Sequence, residues 1–248
     1  FIDTERKKVS LNCSAIIKYK HIFNTSGLNA VSIAKKFNLS KNRIVLPFKG
    51  LYFELKNNLP YQIKRNLYPV PDLELPFLGV HFTPTLEGNT IIGPTAIPAL
   101  GKENYRNFNE IEFFESFRFA KILMEQFLKN ESGFRKYALE QANLGIKFNF
   151  YKSAKKLFPK LEMNHIQRCH KVGIRPQLFD IKEKCLIDDF ILEKDENSTH
   201  VVNAISPAFT ACFELADLIL KESLYLKSLW NYSKENFLYF FSFKIRVL

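Results

Sequence analysis

The chain of 248 residues contains only nine glycines, and none stand at the spacing of a GxGxxG or P-loop signature. A nucleotide pyrophosphate is held by glycine-bared backbone amides at the start of a helix. This chain has no such cradle, so residues outside it must grip any nucleotide cofactor. Cysteine is scarce too: Cys13, Cys169, Cys185 and Cys212 lie far apart and form no CxxC pair. That spacing excludes a disulfide framework and a zinc module, so reduced thiols in a cytoplasmic protein and no metal site are expected. No apolar run reaches the ~18–20 residues that span a bilayer. The opening Phe1-Ile-Asp-Thr-Glu-Arg-Lys-Lys8 is no signal peptide, and a first residue other than Met is read as a missing upstream segment.

Acidic residues are outnumbered: 36 Lys and Arg against 25 Asp and Glu leave a net charge of +11. Such an excess attracts nucleic acid, an acidic membrane surface or a small anionic substrate. The lysines stand in ones and twos, as in Lys35-Lys36 and Lys155-Lys156, without a basic helix or an aromatic stacking signature. No nucleic-acid partner is expected. What the chain does have is phenylalanine, 25 copies dispersed along it, which reads as core filling.

Lys8–Asn12 and Ala15–Asn24 read as two strands joined by a tight turn. The second runs through Asn24-Thr-Ser-Gly-Leu28 into a helix over Asn29–Phe37, a βα unit with its turn at the carboxyl end of the strand. From Ile44 to Pro98 the pattern is that of a largely antiparallel sheet. Its strands are Leu51–Lys56, Gln62–Tyr68, Leu78–Thr83 and Thr90–Gly93, with a hairpin turn at Leu86-Glu-Gly-Asn89. Pro69, Pro71 and Pro76 bracket a loop.

Helices follow from about Glu110 to Leu157. The first has an apolar face of Phe113, Phe114, Phe117, Ala120, Ile122, Leu123 and Phe127 that reads as packing surface. A second starts at Ser132-Gly133, and a third holds Ala154 and Leu157. Strands return at Arg168–Leu178, Asp189–Leu192 and Thr199–Asn203. Ser206-Pro207 then reads as the start of a helix running to about Lys221, with Ser as cap and Pro at the first position. Residues 224–248 have many aromatics and no clean period. An extra helix, an interfacial membrane anchor and out-of-frame sequence all remain open there.

Five segments in order carry a resemblance. They are Leu46-Pro-Phe-Lys-Gly-Leu-Tyr52; Tyr68-Pro-Val-Pro-Asp72 with Pro76-Phe-Leu-Gly-Val-His-Phe-Thr83; Ile92-Gly-Pro-Thr-Ala96; Gly173-Ile-Arg-Pro-Gln-Leu178; and His200-Val-Val-Asn-Ala-Ile-Ser-Pro-Ala208. Over residues 8–222 the chain resembles the L-2-hydroxyglutarate oxidase and dehydrogenase group of the D-amino-acid-oxidase-like flavoproteins. The resemblance implies an α+β chain. It would hold an antiparallel-sheet substrate domain with helices, plus the carboxyl-terminal part of a Rossmann-like FAD domain lacking its glycine-rich start. The expected division is 1–45 partial FAD domain, 46–167 substrate domain, 168–223 return to the FAD domain, and 224–248 an atypical tail.

The implied cofactor is FAD and the implied reaction is oxidation of L-2-hydroxyglutarate to 2-oxoglutarate. Another small carboxylate as substrate, a non-catalytic remnant, or half of a split enzyme remains open. The chain alone is expected to be inactive and colourless without an amino-terminal FAD-binding segment. It is expected in the cytoplasm, with peripheral contact to an inner membrane left open.

His81, between Val80 and Phe82 in a strand, is the implied catalytic base, since its pKa suits removal of a hydroxyl proton near neutrality. On the residues alone a structural histidine is equally open. Arg175, two residues after Gly173, is the implied carboxylate clamp. Lys49, where arginine is common in the group, and Tyr52 are implied substrate contacts. Ser26, Gly27 and Leu28 in the βα turn, Gly173, and Ser206, Pro207 and Ala208 at the expected helix start are implied to face the flavin. That helix terminus would present partial positive charge to the ring's N1–C2=O edge. Ser26 replaces the usual alanine, and Pro176 stands where alanine is usual beside Arg175.

Overall fold

A computed structural model describes residues 1–12, 15–57, 59–70, 79–106, 110–130, 134–205 and 208–223. Cys13, Pro71, Pro76, Ser206, Pro207 and the expected tail 224–248 lie outside the described residues. The chain divides into two compact units, one of Phe1–Ile44 with Ile187–Leu248 and one of Val45–Leu186.

In the first unit β1 (Ile2–Asp3), β2 (Lys8–Ser10) and β3 (Ile16–Lys18) form an antiparallel meander. The single strand expected over 15–24 is broken. β3 pairs with β2, whereas β4 (Ile22–Asn24) joins a second sheet in the order β11–β12–β4. Exposed Ile16 and Ile17 explain the misreading, because an apolar run looks continuous in sequence even when its halves serve different sheets. β12 (Ser198–Asn203) runs parallel to β4, with His200 opposite Asn24, and antiparallel to β11 (Ile191–Lys194).

After β4 the backbone turns at Gly27, where φ is +57°, a left-handed value that glycine adopts without cost. A 3-10 turn at Gly27–Asn29 leads into the short α1 (Ala30–Ala34). Ala30, Val31 and Ala34 are buried, small enough for the helix to lie close on β12. Asn38, in the left-handed region at φ +61°, ends the segment, as is common at helix termini. The last helix, α5, spans Cys212–Glu222. It begins later than expected because Ala208–Ala211 form turns, with Ala208 N–H bonded to Ile205 O and Cys212 N–H to Phe209 O.

The second unit is built on a sheet of order β10–β9–β5–β7–β6, with β8 (Ile97–Pro98) also on β5. β5 spans Arg43–Leu55, β6 His81–Pro84, β7 Thr90–Gly93, β9 Ile166–Asp180 and β10 Cys185–Ile187. Expected strand 62–68 reduces to one bridge, Leu67 to Phe82. The hairpin at 86–89 is present, with Gly88 at φ +85° and Thr85 N–H bonded to Asn89 O. Because β9 lies beside β5, the chain leaves this unit after Leu186 rather than at 167.

Three helices follow β8: α2 (Phe113–Lys129), α3 (Phe134–Leu144) and α4 (Lys147–Leu157). Phe53, Leu55, Phe82 and Ile92 on one pleat of the sheet meet Phe150 and Ala154 of α4, with the Phe53 and Phe150 rings 4.5 Å apart. Burying one such ring contributes about 1.5–3 kcal/mol.

The packing face expected on α2 is met only in part, for Ile122, Leu123 and Phe127 are half-buried. Phe119 and Gln126 are its buried residues, while Phe113, Phe114 and Phe117 point outward. The helix is apolar around more than half its circumference, so periodicity could not select the docking side. Among the described residues no helix is long and apolar enough to cross a membrane.

Candidate active site

His81 opens β6 and sits opposite Gly93 in the antiparallel register with β7. Its Nδ1 lies 3.0 Å from the Gly79 carbonyl oxygen. A carbonyl can only accept, so Nδ1 carries the proton and the neutral ring keeps its lone pair on Nε2. The Tyr68 ring packs on the imidazole at 4.8 Å between centroids. Burial pulls the His81 pKa below its ordinary value; the Gly79 hydrogen bond opposes this, and the nearby Arg175 guanidinium adds to the lowering. At neutral pH the ring is therefore a neutral base.

Gly93 is required where it stands. Its φ is +145°, and a Cβ would come within 2.9 Å of both the Leu51 carbonyl oxygen and Tyr52 Cδ1. His81, Gly93 and Tyr52 thus form a row across three strands, with a bare backbone between a base and a phenol. Gly50, two residues before Tyr52 and on the same pleat, leaves room for Pro94, whose Cβ would otherwise meet a side chain at 2.8 Å.

The next residues fasten this corner. Leu51 N–H donates to Thr95 Oγ1 at 3.1 Å, and Ala96 N–H donates to Gln141 Oε1 of α3 at 2.8 Å. One helical turn before Gln141, on the same face of α3, is Tyr137, 4% exposed. Burial raises the Tyr137 pKa, and the Arg175 charge partly offsets that. Arg175 in β9 therefore acts electrostatically on both His81 and Tyr137, which brings the expected base and the expected clamp into range of one another. Gly173, two residues earlier on the same face of β9, has nothing within 4 Å of where its Cβ would stand. The backbone there is not crowded. Glycine instead leaves open space beside Arg175.

Lys49 does not join this group. It stands three residues before Tyr52, and a pleated strand turns residues three apart to opposite faces. Its Nζ is buried and donates to Asn104 Oδ1 at 2.7 Å, and burial lowers its pKa.

In the first unit, the expected cofactor turn is tied down by a buried polar network that the sequence did not reveal. Asn24 Nδ2 donates to Ala30 O and lies 2.8 Å from His200 Nδ1. Asn24 Oδ1 accepts from Ser26 N–H at 3.3 Å and from Ser26 Oγ at 2.6 Å. His200, fully buried with Phe37 against its edge, completes the chain through Nε2 to Ser198 Oγ at 2.7 Å. Burial lowers the His200 pKa; Asp195 and Glu193 oppose this and His21 adds to it. The one available signal was the pair of polar residues His200 and Asn203 flanking Val201-Val202 in a strand.

The turn itself meets open space: a Cβ on Gly27 would have no neighbour within 4 Å. Bare backbone at the carboxyl end of a strand paired in parallel is what a planar ring can approach closely. Ser26 and Gly27 are exposed and Leu28 is half-buried at this edge. Ala208 lies in a turn four residues before α5, and Ser206 and Pro207 lie outside the described residues.

Residues 2–221 match the model of the DAO family, FAD dependent oxidoreductases, and the chain belongs to that family. It is 32% identical over 221 residues to the mitochondrial L-2-hydroxyglutarate dehydrogenase of Mus musculus, covering 84% of this chain and 45% of the relative. The L-2-hydroxyglutarate dehydrogenase of Salmonella houtenae is 33% identical over 206 residues, covering 81% and 47%. That of Indibacter alkaliphilus is 30% identical over 210 residues, covering 82% and 50%. The chain thus spans about half the length of these curated relatives. Among solved structures, the FAD-bound L-alpha-glycerophosphate oxidase of Mycoplasma pneumoniae aligns at TM-score 0.49 and 20% identity, over 84% of this chain and 42% of that one.

Proposed function

We propose that the protein containing this chain oxidises L-2-hydroxyglutarate to 2-oxoglutarate, using FAD. When bound, FAD supplies the acceptor for the hydride that leaves C2. His81 Nε2 takes the hydroxyl proton, its lone pair kept available by the Nδ1–Gly79 bond and by a lowered pKa. Arg175 binds one substrate carboxylate as a bidentate fork, lying in the open space beside Gly173. Tyr52 borders the pocket across Gly93. In the first unit the turn Ser26-Gly27-Leu28 contacts the flavin, as the open space at Gly27 allows. The nucleotide half of FAD is gripped by a segment outside these 248 residues, because the nine glycines offer no pyrophosphate cradle.

The observation that carries the reading is a neutral histidine within the field of an arginine on one sheet. Support for the substrate comes from relatives that are themselves named L-2-hydroxyglutarate dehydrogenases. The test is His81→Asn in the full-length protein. Flavin occupancy is expected to stay near that of the parent, while the rate of flavin reduction by substrate falls about 10²–10⁴-fold. In the parent, that rate falls as pH drops below a value lying under the ordinary 6.5 of histidine. Unchanged reduction in the variant refutes the role of His81.

A further inference from the structure

His81 Nδ1–H donates to the Gly79 carbonyl oxygen at 3.0 Å. A bond at one ring atom leaves the imidazole able to swing about it, because the outer torsion of a histidine side chain has broad wells. A second element removes that freedom. Leu67 and Phe82 form an antiparallel bridge, each N–H donating to the other's carbonyl oxygen at 3.0 Å. One step along, Tyr68 falls opposite His81 as a non-hydrogen-bonded pair, the kind in which side chains stand closest. Their rings are 4.8 Å apart between centroids and tilted by 38°. Pro69 favours an extended Tyr68 and lies against Gly79, where an added Cβ would meet Pro69 Cγ at 3.3 Å. The segment carrying the phenol is thus clamped to the carbonyl that orients the imidazole.

We propose that Tyr68 is a positioning residue for the base: its ring, laid on the His81 imidazole, aims Nε2 at the substrate hydroxyl and keeps water off that face. This rests on the reading of His81 as proton acceptor. The effect belongs to the ring rather than the hydroxyl, since the contact is ring against ring. Burial is the largest cause of the lowered His81 pKa. Removing the ring wets the imidazole, favours its charged form and raises the pKa toward the ordinary value. The other neighbours do not supply this shielding. Arg175 of β9 is the charge acting on His81, Gly93 of β7 is bare, and Tyr52 of β5 lies beyond it.

Tyr68 is 51% exposed, so its truncation leaves the core intact. Full-length Tyr68→Ala and Tyr68→Phe are compared with the parent. The titration of His81 is followed by proton NMR, with its resonance assigned by loss in His81→Asn; this needs neither flavin nor substrate. The midpoint is expected to rise in the alanine variant and to return to the parent's in the phenylalanine variant. The rate of flavin reduction by L-2-hydroxyglutarate is then measured against pH. In the alanine variant the limb on which the rate falls with acid moves to higher pH. The plateau above it drops about tenfold to a hundredfold with KM little changed, and phenylalanine restores both. An alanine variant with the parent's midpoint and plateau overturns the proposal. So does a phenylalanine variant as impaired as alanine, which assigns the effect to the hydroxyl. If alanine lowers the melting temperature, Tyr68→Leu, which keeps bulk without a flat ring, must show the plateau loss. A parent rate with no acid limb, while the NMR midpoint still moves, removes His81 as the base and this proposal with it. An acid limb present in the parent and unmoved by alanine removes the role of Tyr68 alone.

Discussion

Asn24→Asp exchanges a donor for an acceptor in the buried network beneath the Ser26-Gly27 turn, and its consequences can be worked through atom by atom. In the parent, Asn24 Nδ2 donates to Ala30 O and to His200 Nδ1, both at 2.8 Å. His200 Nδ1 therefore accepts, Nε2 carries the ring proton, and that N–H donates to Ser198 Oγ. The ring is neutral, and burial holds its pKa below the unfolded value near 6.5. With the folded pKa depressed for a base, the unfolded chain binds more protons between the two values. Stability contributed here is present above about pH 6.5 and is lost as pH falls below it.

An aspartate at this position offers Nδ1 no hydrogen. The neutral ring keeps both contacts by switching tautomer, Nδ1–H donating to the carboxylate and Nε2 accepting from Ser198 O–H. The adjacent carboxylate favours the imidazolium, so the pKa rises, and the contribution is present below the raised pKa and lost as pH climbs through it. Above neutrality the variant leaves the Ala30 carbonyl without the Asn24 donor, at about 1–3 kcal/mol for a buried group. That loss corresponds to roughly 2–12 °C in melting temperature for a chain of this size. The assay is thermal unfolding of parent and variant at about pH 5.5 and 7.5, on either side of the histidine midpoint. The parent's Tm is expected to drop on acidification and the variant's to rise. If both move in the same direction, the assigned hydrogen-bond polarity is wrong.

Phe150→Ala removes a fully buried ring that stacks on Phe53 beneath the β5–β7–β6 sheet, and should cost about 3–5 kcal/mol, read as a lower urea midpoint. A loss under about 1 kcal/mol would mean α4 does not pack as described. Lys49→Met removes a buried ammonium whose pKa burial already depresses, so its Tm should equal or exceed the parent's. Because Lys49 and Tyr52 take opposite pleats, the variant's KM should be unchanged; a raised KM would place Lys49 in the pocket.

What the sequence revealed and what it hid divide along physical lines. Local turn chemistry was readable: the Gly88 hairpin and the Gly27 turn are where positive φ makes glycine the natural residue. Strand β7 and the long β9 were visible in their patterning. The boundary at Leu186 was not, because it depends on β9 lying beside β5, a pairing between segments more than a hundred residues apart. The length of α5 was overestimated, since a Ser-Pro pair is a favourable helix start wherever it occurs, and only the turns at 208–211 show the helix waiting until Cys212. On α2 the pattern identified a helix and could not identify its inside.

The same distinction explains the grouping of the site residues. His81, Tyr52, Lys49 and Arg175 were each singled out by the family resemblance together with residue type, and those criteria say nothing about pleat. Register does. His81 meets Gly93, and Gly93 meets Tyr52, so one face of the sheet holds a base and a phenol separated by a glycine that admits no side chain. Lys49 falls on the other pleat by an odd count of residues. Arg175 enters from β9 with enough reach for its charge to be felt at His81 and at Tyr137 together. Tyr137 was invisible in sequence because it belongs to a helix, four residues before the Gln141 that pins the Gly93–Ala96 segment. A substrate anion drawn to Arg175 would thus come within the field shared by a neutral imidazole and a buried phenol, and that shared field is the feature a single substitution at Arg175 would remove.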